Sequence, residues 1–231
     1  MSTQAARLAA PAHDAAHARG VFLALLSAVG FGAMGVMAKI AYAHGANVPT
    51  LLSGRFALAA VLLWAIVAVR RPQLPPRRVL VAGFLLGACF YGAEAGLYFT
   101  ALTRLDASMV ALLLYTYPVL VVAGAVVLRR ERADRDRGVA LALAIAGAVL
   151  VIAGAGTGAL DSLGVTLALA TAVMYSTYVL VADGVTRRVD PLVLAALVTT
   201  GAAMSTTSFG LATGSLHAVD GTGALVIAAL A

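Results

Sequence analysis

The sequence predicts an all-α integral membrane protein, a helical bundle built from inverted five-helix repeats. Three observations carry that prediction. The first is composition: 62% of the 231 residues are hydrophobic and 11% are charged, and the mean hydropathy is +0.98. Soluble domains are about 45–50% apolar and about 25% charged. The second is a series of apolar runs, each long enough for a helix of about 20 residues to cross a hydrocarbon core about 30 Å thick. The third is a similarity between the start of the first run and the start of the sixth.

The runs cover about 20–43, 49–69, 79–101, 107–128, 138–156, 162–183 and 191–213, and an eighth starts near 221 and meets the end of the chain at Ala231. That makes about seven complete transmembrane helices plus a partial eighth. Backbone groups in lipid must be satisfied within the segment, which selects helix. The alternation of polar and apolar residues that a transmembrane barrel needs is absent. Residues 1–19 are polar and Ala-rich and are expected to form a flexible cytoplasmic tail. His13 and His17 stand four apart there, but with no further ligand beside them a metal is not expected.

Charge sits between the runs. Arg7 and Arg19 precede the first. Arg70, Arg71, Arg77 and Arg78 separate the second from the third. Arg129, Arg130, Arg132, Arg135 and Arg137 follow the fourth, and Arg187 and Arg188 follow the sixth. The alternate loops hold one arginine, Arg104. The positive-inside rule places the N-terminus in the cytoplasm and the chain in the inner (plasma) membrane as a multi-pass protein. The net charge of +6 is thus topological, and no nucleic-acid partner is expected. Lone Cys89 rules out an internal disulfide and reads as a small packing residue.

The first run contains Gly30-Phe-Gly-Ala-Met-Gly35, the G-x-G-x-x-G spacing of dinucleotide sites. No strand precedes it, and Arg55 stands where an acid would hold a ribose. The glycines read instead as small residues that let another helix approach, and no cofactor is expected. Gly83 and Gly87, and Gly92 and Gly96, repeat that small-residue spacing in the third run.

Gly20-Val-Phe-Leu-Ala-Leu-Leu-Ser-Ala-Val29 and Gly164-Val-Thr-Leu-Ala-Leu-Ala-Thr-Ala-Val173 agree at seven of ten positions. The two copies lie five helices apart. Five is odd, so the second copy enters from the opposite side, as in inverted-repeat transporters. The expected organisation is a tail at 1–19, a first repeat at 20–156 and an incomplete second repeat at 162–231.

Within the membrane, charges are costly and mark function. Lys39, Arg55 and Glu94 are the three. Lys39 and Arg55 either snorkel to the outer interface or line a cavity and attract a carboxylate or phosphate. Glu94 sits about 15 Å deep, where it is protonated, paired with Lys39 or Arg55, or open to water. Tyr115-Thr-Tyr-Pro118 falls in the middle of the fourth run; Pro118 frees the carbonyl of Leu114, beside two phenols and a hydroxyl. Tyr175 and Tyr178 in the sixth run share a face that pseudo-symmetry turns to the same cavity. Trp64 reads as packing or interfacial belt.

Gly96-Leu-Tyr-Phe-Thr-Ala-Leu-Thr-Arg-Leu-Asp-Ala-Ser-Met-Val-Ala-Leu-Leu-Leu-Tyr-Thr-Tyr-Pro118, followed by Leu128-Arg-Arg-Glu-Arg132 and Gly138, resembles the EamA-type transporters of the drug/metabolite transporter superfamily. Lys39 and Arg55 fit the same pattern, whereas Phe31-Gly32 stands where the family usually has tryptophan-glycine. The resemblance implies ten helices in two repeats and movement of small metabolites, often outward. It also implies that Glu131 anchors a cytoplasmic loop. The expected function is a secondary exporter of small metabolites such as amino acids or drugs, working by alternating access. Its expected substrate-binding set is Lys39, Arg55, Glu94, Tyr98, Tyr115, Pro118, Tyr175 and Tyr178. Partners are the small-molecule substrate and membrane lipids, and two copies could pair as a homodimer. The alternatives are an inactive remnant of a transporter truncated in its second repeat, or a membrane-embedded enzyme acting on lipid. Glu94 as the one deep acid, with every histidine in a tail or loop, disfavours the enzyme.

Overall fold

The computed structural model describes residues 3–130, 161–186 and 189–231, with scattered positions between 138 and 150. Its elements are α1 (Thr3–Ala43), α2 (Val48–Arg70), α3 (Arg77–Leu85), a π-helical turn (Leu86–Tyr91), α4 (Gly92–Leu102), α5 (Ala107–Leu114), α6 (Tyr117–Val127), α7 (Ser162–Thr186), α8 (Pro191–Ala212) and α9 (Gly221–Ala229). The fold is the all-α membrane bundle that the composition predicts. Six helical stretches among the described residues are long and apolar enough to span: Gly20–Ala43, Val48–Arg70, Arg77–Leu102, Ala107–Val127, Ser162–Val185 and Pro191–Ala212. The run at 138–156 lies mostly outside the described residues. Glu131, Arg187, Arg188 and the side chains of His13 and His17 lie outside them too. The outward apolar surface, with Phe22, Val69 and Leu225 well exposed, suits a bilayer rather than water.

Several expectations change. The helix begins at Thr3, so the stretch expected as a flexible tail is helical; alanine, the strongest helix former, dominates it. Cys89 is exposed rather than packed. Of the three glycines at Gly30, Gly32 and Gly35, an added Cβ would meet a described neighbour only at Gly35, with Ala107 Cβ at 3.1 Å. The G-x-G-x-x-G stretch is therefore not a close helix crossing over its whole length.

The tight crossing is elsewhere. The third span packs on α8 through glycines on both sides. A Cβ on Gly83 would stand 3.2 Å from Leu194 Cδ1, one on Gly87 would strike the Val198 carbonyl, and one on Gly92 would lie 2.5 Å from Ser205 Oγ. From the other side, a Cβ on Gly201 would strike the Phe84 carbonyl. Backbones meet here without side chains between them, which is how small residues bring membrane helices together. Trp64 adds a cross-tie from α2, its Nε1 donating to Thr200 Oγ1 at 2.9 Å.

The fourth span breaks where Pro118 predicts a disruption. α5 ends at Leu114, Thr116 Oγ1 donates back to the Leu113 carbonyl at 2.8 Å, and α6 resumes at Tyr117 with proline in its first turn. Ser176 Oγ of α7 then donates to the Tyr117 carbonyl at 3.1 Å, fastening the two helices at the break.

One end of the bundle carries Arg70, Arg71, Arg77, Arg78, Arg129 and Arg130. At the opposite end the α8–α9 connection lies across the α1–α2 turn. Asn47 Nδ2 donates to the Ser215 carbonyl at 2.5 Å, the His217 amide to Thr50 Oγ1 at 2.9 Å, and His44 Nδ1 stands 2.9 Å from Asp220 Oδ2. Asp220 also caps α9, accepting the Gly223 amide at 2.6 Å. Beside this strap, Asp161 caps α7 through the Gly164 amide at 2.9 Å and pairs with Arg104 at 2.8 Å.

Both aspartates are held below the ordinary carboxylate range. For Asp161 the Gly164 amide contributes most, then Arg104; for Asp220 the Gly223 amide, then His44. A carboxyl lowered in the folded state stabilises above its unfolded pKa, and the contribution is lost as pH falls through the folded value. Thermal unfolding in detergent should therefore be insensitive to these caps from pH 7 to 5 and should fall away below about pH 4. The Asp161→Ala/Asp220→Ala double variant should unfold earlier at pH 7 and show a shallower acid decline. An identical decline in both proteins would show that the caps do not contribute.

Candidate functional site

A cavity of about 460 Å³ opens inside the bundle, within the range of about 300–1,000 Å³ usual for small-molecule sites. Arg55 of α2, Glu94 and Tyr98 of α4, and Tyr175 and Tyr178 of α7 all line it. Five of the eight residues expected from sequence thus converge. Glu94 stands eight residues before Leu102, the end of its span, or about 12 Å along the axis.

Each side chain is placed by its helix. Asn47 caps α2, its Oδ1 accepting the Thr50 amide at 3.0 Å, and Arg55 follows two turns later on the inner face. Its guanidinium lies over the Phe56 ring at 5.1 Å and the Phe99 ring at 5.5 Å, and its Nε donates to the Leu230 carbonyl of the α9 end at 3.0 Å. Cation–π contact of this kind fixes the plane of the group. Glu94 is 7% exposed and lines the same cavity as Arg55. The two do not touch: the ion pairs within 4.0 Å among the described residues are His44–Asp220 and Arg104–Asp161. A carboxyl group and a guanidinium therefore line one cavity with no ion pair within 4.0 Å between them.

Aromatic rings form the wall. Phe56 meets Tyr91 at 5.4 Å, Tyr91 meets Tyr178 at 5.7 Å, Tyr178 stacks on Tyr175 at 6.1 Å, and Tyr175 meets Tyr117 edge-on at 4.7 Å. The ladder runs from α2 through the third span to α7 and α6. Tyr175 and Tyr178, three apart on α7, share a face. Between them Ser176 turns away to bond the Tyr117 and Ala172 carbonyls, and exposed Thr177 bonds the Val173 carbonyl.

Three expected residues lie apart from this cavity. Lys39 donates through Nζ to the Leu105 carbonyl at 2.7 Å and ties α1 to the α4–α5 turn. Tyr115 is exposed, at the rim of a smaller pocket with Phe31 and Tyr98. Pro118 shapes the break in the fourth span and does not line this cavity. Other lining residues fall outside the expected set: Tyr91, Phe31, Met34, Phe99 and, on α8, Leu194, Val198 and Thr199. Tyr91 carries a signal, since it stands three residues before Glu94 and so on a neighbouring face. The α8 positions carry neither charge nor aromatic ring and offer none.

The cavity is asymmetric along the bundle. Its lining reaches Pro191, at the start of α8 beside the arginine-rich end. Toward the opposite end it stops at Arg55, Tyr98 and Phe99, short of the strap.

Helices long and apolar enough to cross a membrane thus enclose a charged cavity of small-molecule size. The chain belongs to the EamA-like transporter family, whose pattern it matches over residues 18–153. A solved structure described only as "Crystal structure of protein" shares the fold, with a TM-score of 0.60 and 23% identity over 87% of this chain and 72% of that one. No curated protein matches the sequence.

Proposed function

We propose that the protein is a secondary transporter that exports small metabolites, such as amino acids or drugs, by alternating access. The observation that carries this reading is the cavity itself. It holds one cation and one acid at mid-depth, reaches the arginine-rich end, and stops below an end closed by the hydrogen-bonded strap. That shape suits an inward-facing state if the arginine-rich end is cytoplasmic, as the positive-inside rule asks. The N-terminus is then cytoplasmic and the membrane is the plasma membrane. The residue 20–156 unit and the 162–231 unit, related by their shared opening, would rock about the cavity. A lining with one acid and no histidine supports transport over hydrolysis of lipid.

The test is flux into and out of proteoliposomes loaded with a mixed pool of labelled amino acids and metabolites. Flux above protein-free vesicles is expected, with Glu94→Gln reducing it at least about tenfold, the scale of one charged hydrogen bond. Folded protein that moves nothing in the pool would sink the proposal.

A further inference from the structure

We propose that the strap end of the bundle holds one anionic phospholipid, its phosphate on Lys39 and one acyl chain in an apolar groove along α4. The site lies outside the charged cavity and does not rest on the transporter reading.

The groove, of about 580 Å³, runs between α2, the third span and α8. Val48, Pro49 and Leu52 form one wall, and Gly92, Gly96 and Leu97 form the floor. On the third span its lining extends from Ala88 to Thr100, twelve residues or about 18 Å along the axis. One leaflet contributes half of a hydrocarbon core about 30 Å thick, so the groove matches the depth of one leaflet. Three hydroxyls line it, and each donates to a carbonyl of its own helix: Thr100 to Gly96 at 2.6 Å, Ser205 to Ala202 at 3.1 Å and Thr206 to Ala202 at 2.8 Å. No hydroxyl proton is left for an occupant, and a polar group buried there without a partner would be costly. That selects hydrocarbon. Gly96 keeps the floor low, since an added Cβ would meet nothing within 4 Å. Ala93 and Phe209 of the lining are exposed, which leaves a side entrance for a chain from the bilayer.

Val48 and Pro49 also line a second space, of about 520 Å³, with Lys39, Tyr42, Asn47 and Thr103. Ala93, Gly96, Thr100 and Thr103 follow at spacings of three to four on one face of α4, so the two spaces form one track. Polarity changes at its mouth. Tyr42, Asn47 and Thr103 donate to the carbonyls of Phe99, Ser215 and Thr100. Lys39, half-buried, gives one N–H to the Leu105 carbonyl, and an ammonium has three. No carboxylate stands within 4.0 Å of it among the described residues. Lys39 lies about one turn before Ala43, the end of α1, where a flexible stem carries the charge to headgroup level. A cation with donors to spare thus stands at the mouth of a groove that takes only hydrocarbon. In a bilayer the molecule complementary to both is a phospholipid, with phosphate against the ammonium and one chain along α4.

The experiment is native mass spectrometry of the full chain in detergent, titrated with dioleoyl phosphatidylglycerol, with dioleoylglycerol (both chains, no phosphate) and with glycerol 3-phosphate (phosphate, no chains). The expected result is one phosphatidylglycerol per chain, retained about tenfold or more above dioleoylglycerol, the scale of one hydrogen bond to a charged group, and no glycerol 3-phosphate at the same concentration. Lys39→Gln should bring the ratio of the two lipids close to one, and Lys39→Arg should keep it. Gly96→Phe, which fills the groove, should lower retention of both lipids. The ratio is taken within one protein, so a variant that folds in lower yield still reports. A graded series of adducts with no favoured first one describes ordinary surrounding lipid and overturns the proposal. So does a ratio that Lys39→Gln leaves unchanged, and so does glycerol 3-phosphate binding as tightly as the lipid, which would confine the site to its mouth. None of these readouts involves flux, so the transporter reading stands or falls separately.

Discussion

Replacing Gly87 or Gly201 by valine is expected to abolish recovery of folded protein. The two glycines face each other's helices at a crossing where backbone meets backbone: a Cβ on Gly87 would strike the Val198 carbonyl, and one on Gly201 would strike the Phe84 carbonyl and stand 2.7 Å from the Ala88 amide nitrogen. Neither neighbour is the end of a flexible side chain, so the helices themselves must part. Overpacking a well-filled interior costs about 1–3 kcal/mol, and more where backbone must shift. Here the displacement would also break the Trp64–Thr200 tie and open the wall that carries Leu194 and Val198. Gly96, where an added Cβ would meet nothing within 4 Å, is the control. Gly96→Ala should purify and unfold like the parent, while Gly87→Val and Gly201→Val should aggregate in size-exclusion chromatography. Monodisperse Gly87→Val with an unchanged melting temperature would contradict the crossing.

Arg55→Ala is expected to reduce transport by about tenfold or more, the scale of one lost hydrogen bond to a charged group. Three contacts go at once: the two ring faces and the Leu230 carbonyl. Arg55→Lys should recover part of the activity, because it restores the charge but not the planar group that fits between Phe56 and Phe99. Flux in proteoliposomes, normalised to folded protein, distinguishes the variants. Unchanged flux in Arg55→Ala would remove this residue from the site.

Much of this architecture is legible in the amino-acid sequence. Composition and run length announce the bundle because a bilayer demands both. Arg55 and Glu94 stand out because charge is expensive in hydrocarbon, and Tyr175 and Tyr178 because a spacing of three puts two rings on one face. Lys39 carries the same signal as Arg55 but is taken up by the Leu105 carbonyl, a contact between residues 66 apart that no local pattern announces. Tyr115 and Pro118 illustrate a different limit. Proline shows where a helix breaks, but the direction in which the freed phenols then point depends on neighbouring helices. The α8 wall is invisible in the sequence because its contribution is shape. The glycine spacing in the third run points to a close crossing, and Gly83, Gly87 and Gly92 make one; Gly30 and Gly32 have the same appearance and do not.

The π-helical turn at Leu86–Tyr91 explains how one helix serves both a crossing and a cavity. The Gly92 amide bonds the Gly87 carbonyl, five residues back, so the turn takes up one more residue than an α-helix would. Gly83 and Gly87 are four apart and Gly87 and Gly92 five apart, yet all three face α8. On a straight helix each residue advances about 100°, and the third glycine would have drifted off that face. Angular phase is thus reset just before Glu94. Counted from Gly83 on an uninterrupted helical wheel, the acid would fall about 100° from where it stands. The chemistry of the cavity depends on a single residue of slack in the helix below it, and a gap placed at 86–91 when comparing relatives marks whether they keep their acid on the same side.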